Sequence, residues 1–134
     1  MTIEEYNQLK DNHNSKQPRK PTSFEEANIQ ASFFIWIGNL YPELDKLIFH
    51  ISNEGKRNMK YVKKSGVKKG VPDVFLSKPN KIYHGLYIEF KTLEGKQSKD
   101  QKLFQEQVEK VGYQYNICRS AKEGLDVLKE YLNN

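Results

Sequence analysis

Two short apolar stretches carry the residues whose types and spacing could do chemistry. Asp73 directly precedes the stretch Val74–Leu76, and Glu89 and Lys91 lie at the end of the stretch Leu86–Phe90. Both stretches are rich in β-branched and aromatic residues and are bounded by Gly and Pro, which predicts two strands. The turn-forming residues between them predict an antiparallel pair. Because alternate residues of a strand share a face, Glu89 and Lys91 should point the same way, beside Asp73 of the neighbouring strand.

Two carboxylates and an ammonium group together suit a magnesium-dependent phosphodiesterase. Mg²⁺ prefers oxygen ligands and usually takes one or two carboxylates, while water and substrate phosphate fill the remaining positions. A lysine beside such a site can orient or deprotonate the attacking water. The alternative for each residue alone is structural: Glu89 and Lys91 would form a solvated strand face, and Asp73 would belong to an ordinary turn after Pro72.

The arrangement of these residues resembles a known nuclease signature. Pro72–Asp73 followed by Glu89–Phe90–Lys91 is similar to the PD-(D/E)XK motif. The wider pattern, which adds Gly70–Val71 before it and Ser98 to Gln101 after it, resembles the VRR-NUC branch of that superfamily, including its small stand-alone viral and bacterial members. The resemblance covers about Glu25 to Leu132 and implies an α/β fold with a restriction-endonuclease-like core.

The resemblance also implies how the central residues would act. Asp73, Glu89 and the backbone carbonyl of Phe90 would hold Mg²⁺, with Mn²⁺ as a substitute. Lys91 would position and activate the water that attacks a phosphodiester.

Two further polar residues enter the implied site from helices. The resemblance pairs a helix-borne acid with a Gln four residues later, and Glu26 and Gln30 match that pattern, so that Glu26 would complete the metal site, directly or through water. The alternative is that Glu26 is a first-turn acid that favours the helix dipole. Gln101 is a site residue in the same comparison, and its alternative role is to cap a helix with Ser98.

Hydrophobic periodicity places these residues on a regular series of elements. The expected order is helix, strand, helix, two strands, helix, strand, helix, which indicates an α/β protein with a central mixed four-stranded sheet flanked by helices. The first helix should run from Thr22 or Ser23 to about Leu40. From the first helix, the residues expected to face inward are Ile29, Phe33, Trp36, Ile37 and Leu40. From the third helix they are Leu103, Phe104, Val108 and Val111. From the last helix they are Leu125, Leu128, Tyr131 and Leu132.

The most basic part of the chain leads into the candidate site. Residues 56–69 include seven Lys or Arg and no acid, in a chain whose formal net charge is +5. The functional interpretation is a surface that follows a phosphate backbone, and the alternative is an ordinary solvated face. The candidate DNA-contact residues are Arg57, Lys60, Lys63, Lys64, Lys68 and Lys69.

Composition limits the domain organisation, the possible disulfide and zinc sites, and the cellular compartment. The 134 residues suit one domain at 22–134, preceded by a polar N-terminal arm at 1–21. The single cysteine, Cys118, excludes an internal disulfide framework. His13, His50 and His84 are scattered and form no zinc pattern. With no apolar signal stretch or span, we expect a cytoplasmic protein, in a bacterial cell or a virus-infected host cell.

The expected function is therefore a metal-dependent, structure-selective DNA endonuclease. The resemblance implies branched substrates such as four-way junctions or flaps, cut by a symmetric homodimer. The competing hypothesis is a non-catalytic nucleic-acid-binding module on the same fold. A third is a small-molecule or protein-interaction domain with incidental charge, which steep salt dependence of DNA binding would exclude.

Overall fold

A computed structural model describes residues 2–6, 23–52 and 66–134 of the chain. A single helical turn at residues 3–6 precedes the main elements. These elements are helix α1 (Ser23–Leu40), a 3₁₀ turn (Pro42–Leu44), strands β1 (Ile48–His50), β2 (Val74–Leu76) and β3 (Leu86–Phe90), helix α2 (Lys99–Lys110), strand β4 (Gln114–Cys118) and helix α3 (Ala121–Asn133). The second helix of the expected order, between the first two strands, lies outside the described residues, as does most of the expected arm.

The four strands form one mixed sheet in the order β1-β2-β3-β4. The pairs β1–β2 and β2–β3 are antiparallel, as the turn chemistry between β2 and β3 predicted. β3 and β4 are parallel, with α2 in the connection between them. The α/β fold class predicted from the sequence is confirmed, including the mixed four-stranded sheet.

The hydrophobic core lies on one face of the sheet. Alternate strand residues point into it, as the period of two predicts, and α1 and α3 cover them. The buried core residues from the strands and these two helices are Phe33, Trp36, Ile37, Ile48, Val74, Leu76, Leu86, Ile88, Phe90, Cys118, Ala121, Leu125, Leu128 and Tyr131. The expected inward stripes of the first and last helices are thus largely confirmed. Leu40 is an exception: it is exposed, because α1 ends there and its side chain lines an open groove with Thr2 and Ile3.

Helix α2 covers the opposite face of the sheet only partly. The ring of Phe104 packs edge-on against Tyr87, at 5.3 Å between ring centroids. The prediction that Leu103 and Val111 also face inward is wrong, since both are exposed. Leu103 is turned about 100° from Phe104 on the helix, and Val111 is the C-cap, where the backbone leaves helical geometry.

The ends of α2 follow the predicted local chemistry. Ser98 and Gln101 form a reciprocal capping box at its start. Gly112, with φ 96°, provides the left-handed residue that ends it. Within the described residues, no helix is both long enough and apolar enough to cross a membrane.

Candidate active site

The pairing of β2 with β3 brings two carboxylates together. The register pairs Val74 with Ile88, so Asp73, one residue earlier, lies beside Glu89 on the face that α2 partly covers. The Asp73 Oδ2 accepts a hydrogen bond from the backbone N–H of Phe90, with 2.8 Å between the heavy atoms. This bond fixes the Asp73 carboxylate against the strand that carries Glu89.

Glu89 is the most unusual side chain of the site, because only 4% of it is exposed. Its Oε1 lies 4.0 Å from the Lys91 Nζ and accepts a hydrogen bond from the Gln101 Nε2 at 3.2 Å. Its Oε2 is buried and has no hydrogen-bond partner among the residues that the structure describes. Burial raises the pKa of Glu89 to about 9. The negative charge of Asp73, a side-chain hydrogen bond with Asp73 and the charge of Glu26 add to the rise, and Lys91 opposes it. The alternative that Glu89 belongs to a solvated strand face is therefore wrong.

This donor set fits a hard divalent cation. A buried carboxylate oxygen without a donor, next to a second carboxylate, is an arrangement that a cation would stabilise, since it would offset both the burial and the mutual repulsion. In the part of the chain that the structure describes, no group of three or more His, Cys, Asp or Glu side chains could hold a metal. Two carboxylates would thus leave positions for the Phe90 carbonyl, water and substrate phosphate, which is how Mg²⁺ is usually bound.

Gln101 combines the two roles that the sequence left as alternatives. Its side-chain oxygen accepts the backbone N–H of Ser98 at 2.8 Å, and its backbone N–H donates to the Ser98 hydroxyl at 3.2 Å, which completes the capping box. Its side-chain nitrogen is left to hold the Glu89 Oε1. The first turn of α2 therefore caps itself and orients the buried carboxylate with the same residue.

The loop before Asp73 packs directly on this first turn. Gly70 has φ 79°, and a Cβ atom on it would lie 2.4 Å from the backbone carbon and oxygen of Asp100. Only glycine fits both the left-handed backbone and the close approach. The contact ties the segment that carries Asp73 to the helix turn that carries Gln101.

The remaining predicted site residues are less closely placed or lie outside the described residues. Glu26 is half-buried on α1, and its charge acts on Glu89. Lys68 and Lys69 are exposed and precede Gly70. The other four DNA-contact candidates lie outside the described residues; they are Arg57, Lys60, Lys63 and Lys64.

His50 is a residue of this site that the sequence did not indicate. Its Nδ1 lies 2.8 Å from the backbone carbonyl oxygen of Asp73, which also accepts the backbone N–H of Ile51 at 2.8 Å. A carbonyl oxygen only accepts, so the His50 Nδ1 must carry the proton. In sequence, His50 looked like an ordinary strand residue, because nothing in its surroundings marks a partner 23 positions away.

Comparison with known proteins agrees with this fold. The family model for the VRR-NUC domain matches residues 15–122. A solved structure named VRR_NUC domain protein superposes with a TM-score of 0.71 at 25% identity, over 81% of this chain and 88% of the other. No curated protein matches the chain. The chain thus has the fold of a nuclease-type domain family. It belongs to the VRR-NUC family.

Proposed function

We propose that this protein is a divalent-metal-dependent DNA endonuclease that hydrolyses phosphodiester bonds in branched DNA. The observation that carries the proposal is the pairing of a half-buried Asp73 with a buried Glu89. Among the described residues, one Glu89 oxygen lacks a hydrogen-bond donor, and the Lys91 ammonium lies 4.0 Å from the other. Membership of a nuclease-type family supports the same reaction class.

Each residue has a distinct part in the proposed reaction. Asp73, Glu89 and the Phe90 carbonyl hold Mg²⁺ or Mn²⁺, and Glu26 adds negative charge at the edge of the site. A cation held there polarises the phosphate and lowers the pKa of water. Lys91 positions the attacking water and offsets the charge that develops on the phosphate. The water oxygen forms a new P–O bond as one P–O ester bond breaks, which leaves a phosphate monoester on one strand end and a hydroxyl group on the other, and the hydroxyl takes up a proton released by the water.

Two residues keep the Asp73 and Glu89 carboxylates in place. Gln101 orients Glu89 through its side-chain nitrogen. His50 holds the backbone of Asp73 through its Nδ1. Such fixed geometry matters because catalytic groups work only when they are held close to the productive arrangement.

The proposed substrate class rests on the positive charge of the chain and on the family resemblance. The basic run and the exposed Lys68 and Lys69 favour contact with a phosphate backbone. We infer recognition of DNA shape, in four-way junctions or flaps, by a homodimer whose two sites act on symmetry-related strands. The competing candidate, a binding module without catalysis, would leave the paired Asp73 and Glu89 carboxylates without a role.

The test is cleavage of labelled linear duplex, single-strand, flap and four-way-junction DNA in Mg²⁺, in Mn²⁺ and in EDTA. We expect metal-dependent cutting of the branched substrates by the parent and at least a thousandfold loss in Asp73→Ala, since removing a metal ligand removes several kcal/mol of charge stabilisation. The matched control is Asp126→Ala, which removes an exposed aspartate from α3.

Other outcomes would change the proposal in defined ways. Paired symmetric nicks in the junction would support the dimer. Salt-sensitive DNA binding without any cutting, unchanged in Asp73→Ala, would favour the binding module. Binding that does not respond to salt would contradict both.

A further inference from the structure

The loop that follows Lys91 is held rigidly. Its backbone turns at Thr92 and Gly95, where the Gly95 N–H donates to the Thr92 carbonyl at 3.1 Å. The Arg119 Nη1, from the end of β4, donates to the carbonyls of Thr92 at 2.6 Å and Gly95 at 2.7 Å, with a longer contact of 3.3 Å to Leu93. The two hydrogens of this nitrogen match the two short bonds. Arg119 therefore fixes the loop relative to the sheet.

This rigid loop presents an apolar side chain to solvent. Leu93 is 83% exposed, more than any other large apolar residue in the described part of the chain. A single exposed leucine is ordinary on a protein surface. Leu93 differs because the backbone beneath it is pinned, and because it lies two residues from Lys91, a reach of at most ~7 Å. That distance corresponds to about two base-pair steps, at roughly 3.4 Å each.

The segment around Leu93 carries exposed charges of both signs. Lys96 and Lys99 follow Leu93 and are exposed, as are Glu94 and Asp100. The contact of Gly70 with the first turn of α2 brings the segment that carries Lys69 to the turn that carries Lys99. An exposed leucine on a fixed loop, two residues from Lys91, resembles the apolar side chains that some proteins insert between DNA bases.

We propose that Leu93 is a wedge that enters the base stack next to the scissile phosphate of branched DNA and holds the first base pair open. The proposal rests on the proposed function for its substrate. It gives a physical basis for structure selectivity, because bases at a branch point are already less well stacked than those in a continuous duplex and so cost less to separate. Leu93 would thereby select the site of cutting without reading sequence.

The first test measures base unstacking without hydrolysis. Four-way-junction DNA carrying 2-aminopurine next to the cut position is saturated with the full-length protein in EDTA, and occupancy is followed by anisotropy. We expect the fluorescence to rise with the parent, because 2-aminopurine brightens when it unstacks, and to stay near the free-DNA level with Leu93→Ala. The matched control is Ile82→Ala, which removes another exposed apolar side chain at the opposite end of β3; it should behave as the parent does.

The second test separates the opening of the base pair from the hydrolysis of the phosphodiester. Leu93→Ala should cut a fully paired junction roughly ten- to a hundredfold more slowly than the parent, since unstacking a base step carries a penalty of that order. The loss should shrink on a junction with unpaired bases at the crossover, and Leu93→Met should restore cutting of the paired junction. A purely structural role for Leu93 would slow both substrates equally.

The outcomes test the wedge role of Leu93 and the nuclease activity separately. An equal fluorescence rise in parent and Leu93→Ala at saturation would overturn the wedge, even if the parent cuts DNA. A Leu93-dependent rise without cutting in Mg²⁺ would support the wedge and overturn the hydrolytic function. Absence of binding to any branched DNA would overturn both.

Discussion

The protonation of Glu89 links the site to stability. Burial and the neighbouring acids raise its pKa from 4.5 to about 9. In the unfolded chain the carboxyl ionises near its ordinary value, while in the folded protein it stays protonated up to about pH 9. Between these values the folded state binds more protons than the unfolded state, so this group makes the free energy of unfolding fall as pH rises.

Glu89→Gln should therefore stabilise the metal-free protein at high pH. Glutamine keeps the shape and hydrogen-bonding capacity of the protonated side chain but does not titrate. In EDTA, the Tm of the variant minus the Tm of the parent should be smallest at pH 5 and should increase towards pH 9. Mg²⁺ should raise the Tm of the parent and leave that of the variant unchanged. A Tm difference that is the same at every pH would show that Glu89 is already ionised in the folded protein.

Among the contacts of single residues, some were predictable from the sequence and others were not. The grouping of Asp73, Glu89 and Lys91 was predictable, because period-two alternation and a short turn bring them to one face. The contact of His50 with Asp73 and that of Arg119 with the loop after Lys91 were not. Both depend on a side chain reaching the backbone of a distant segment, and no local pattern encodes such a contact.

The elements themselves were largely predictable from local chemistry. Strands β2 and β3, the capping box of α2 and Gly112 at its end all agree with the sequence patterns. The exposure of Leu103 and Val111 was not predictable, because an amphipathic helix does not reveal how much of its apolar side the neighbouring sheet will cover. The packing of the Gly70 loop onto α2 was not predictable from the sequence either.

The contact between the Gly70 loop and α2 can be tested with two glycines. Gly66 and Gly70 both have a left-handed backbone, with φ 84° and 79°. Among the described residues, a Cβ atom on Gly66 would meet nothing within 4 Å, whereas one on Gly70 would collide with Asp100. Gly66→Ala thus measures the backbone strain alone, and Gly70→Ala measures the strain together with the collision.

We expect Gly66→Ala to lower the free energy of unfolding by about 1 kcal/mol, the cost of a left-handed alanine. Gly70→Ala should lower it further, and it should also weaken Mg²⁺ binding, because the loop must move away from the helix turn that holds Gln101. Chemical denaturation and calorimetric titration with Mg²⁺ measure the two effects. Equal Mg²⁺ affinity in both variants would mean that the loop contact does not position the site.

The reactivity of Cys118 depends on whether the core of the folded protein is open or closed. Its side chain is fully buried in the core at the end of β4, and burial raises the pKa of the thiol to about 12. Its backbone carbonyl accepts the N–H of Lys91 at 3.0 Å, so the core position of Cys118 adjoins the site. Since the thiolate is the reactive form, the folded protein should be inert to thiol reagents at pH 8, and labelling should require opening of the core.

This inertness allows the metal to be detected without any assay of activity. When the core recloses faster than the reagent reacts, the labelling rate follows the population of the open state. Mg²⁺ that binds only the folded protein reduces that population by the factor 1 + [Mg²⁺]/Kd, so labelling should become about elevenfold slower at ten times Kd. Asp73→Ala should show no such slowing, and Asp126→Ala should match the parent. Equal slowing of labelling in the parent and in both variants would show that Mg²⁺ binds away from Asp73. Rapid labelling of the parent without Mg²⁺ would show that the core around Cys118 opens locally rather than with the whole molecule.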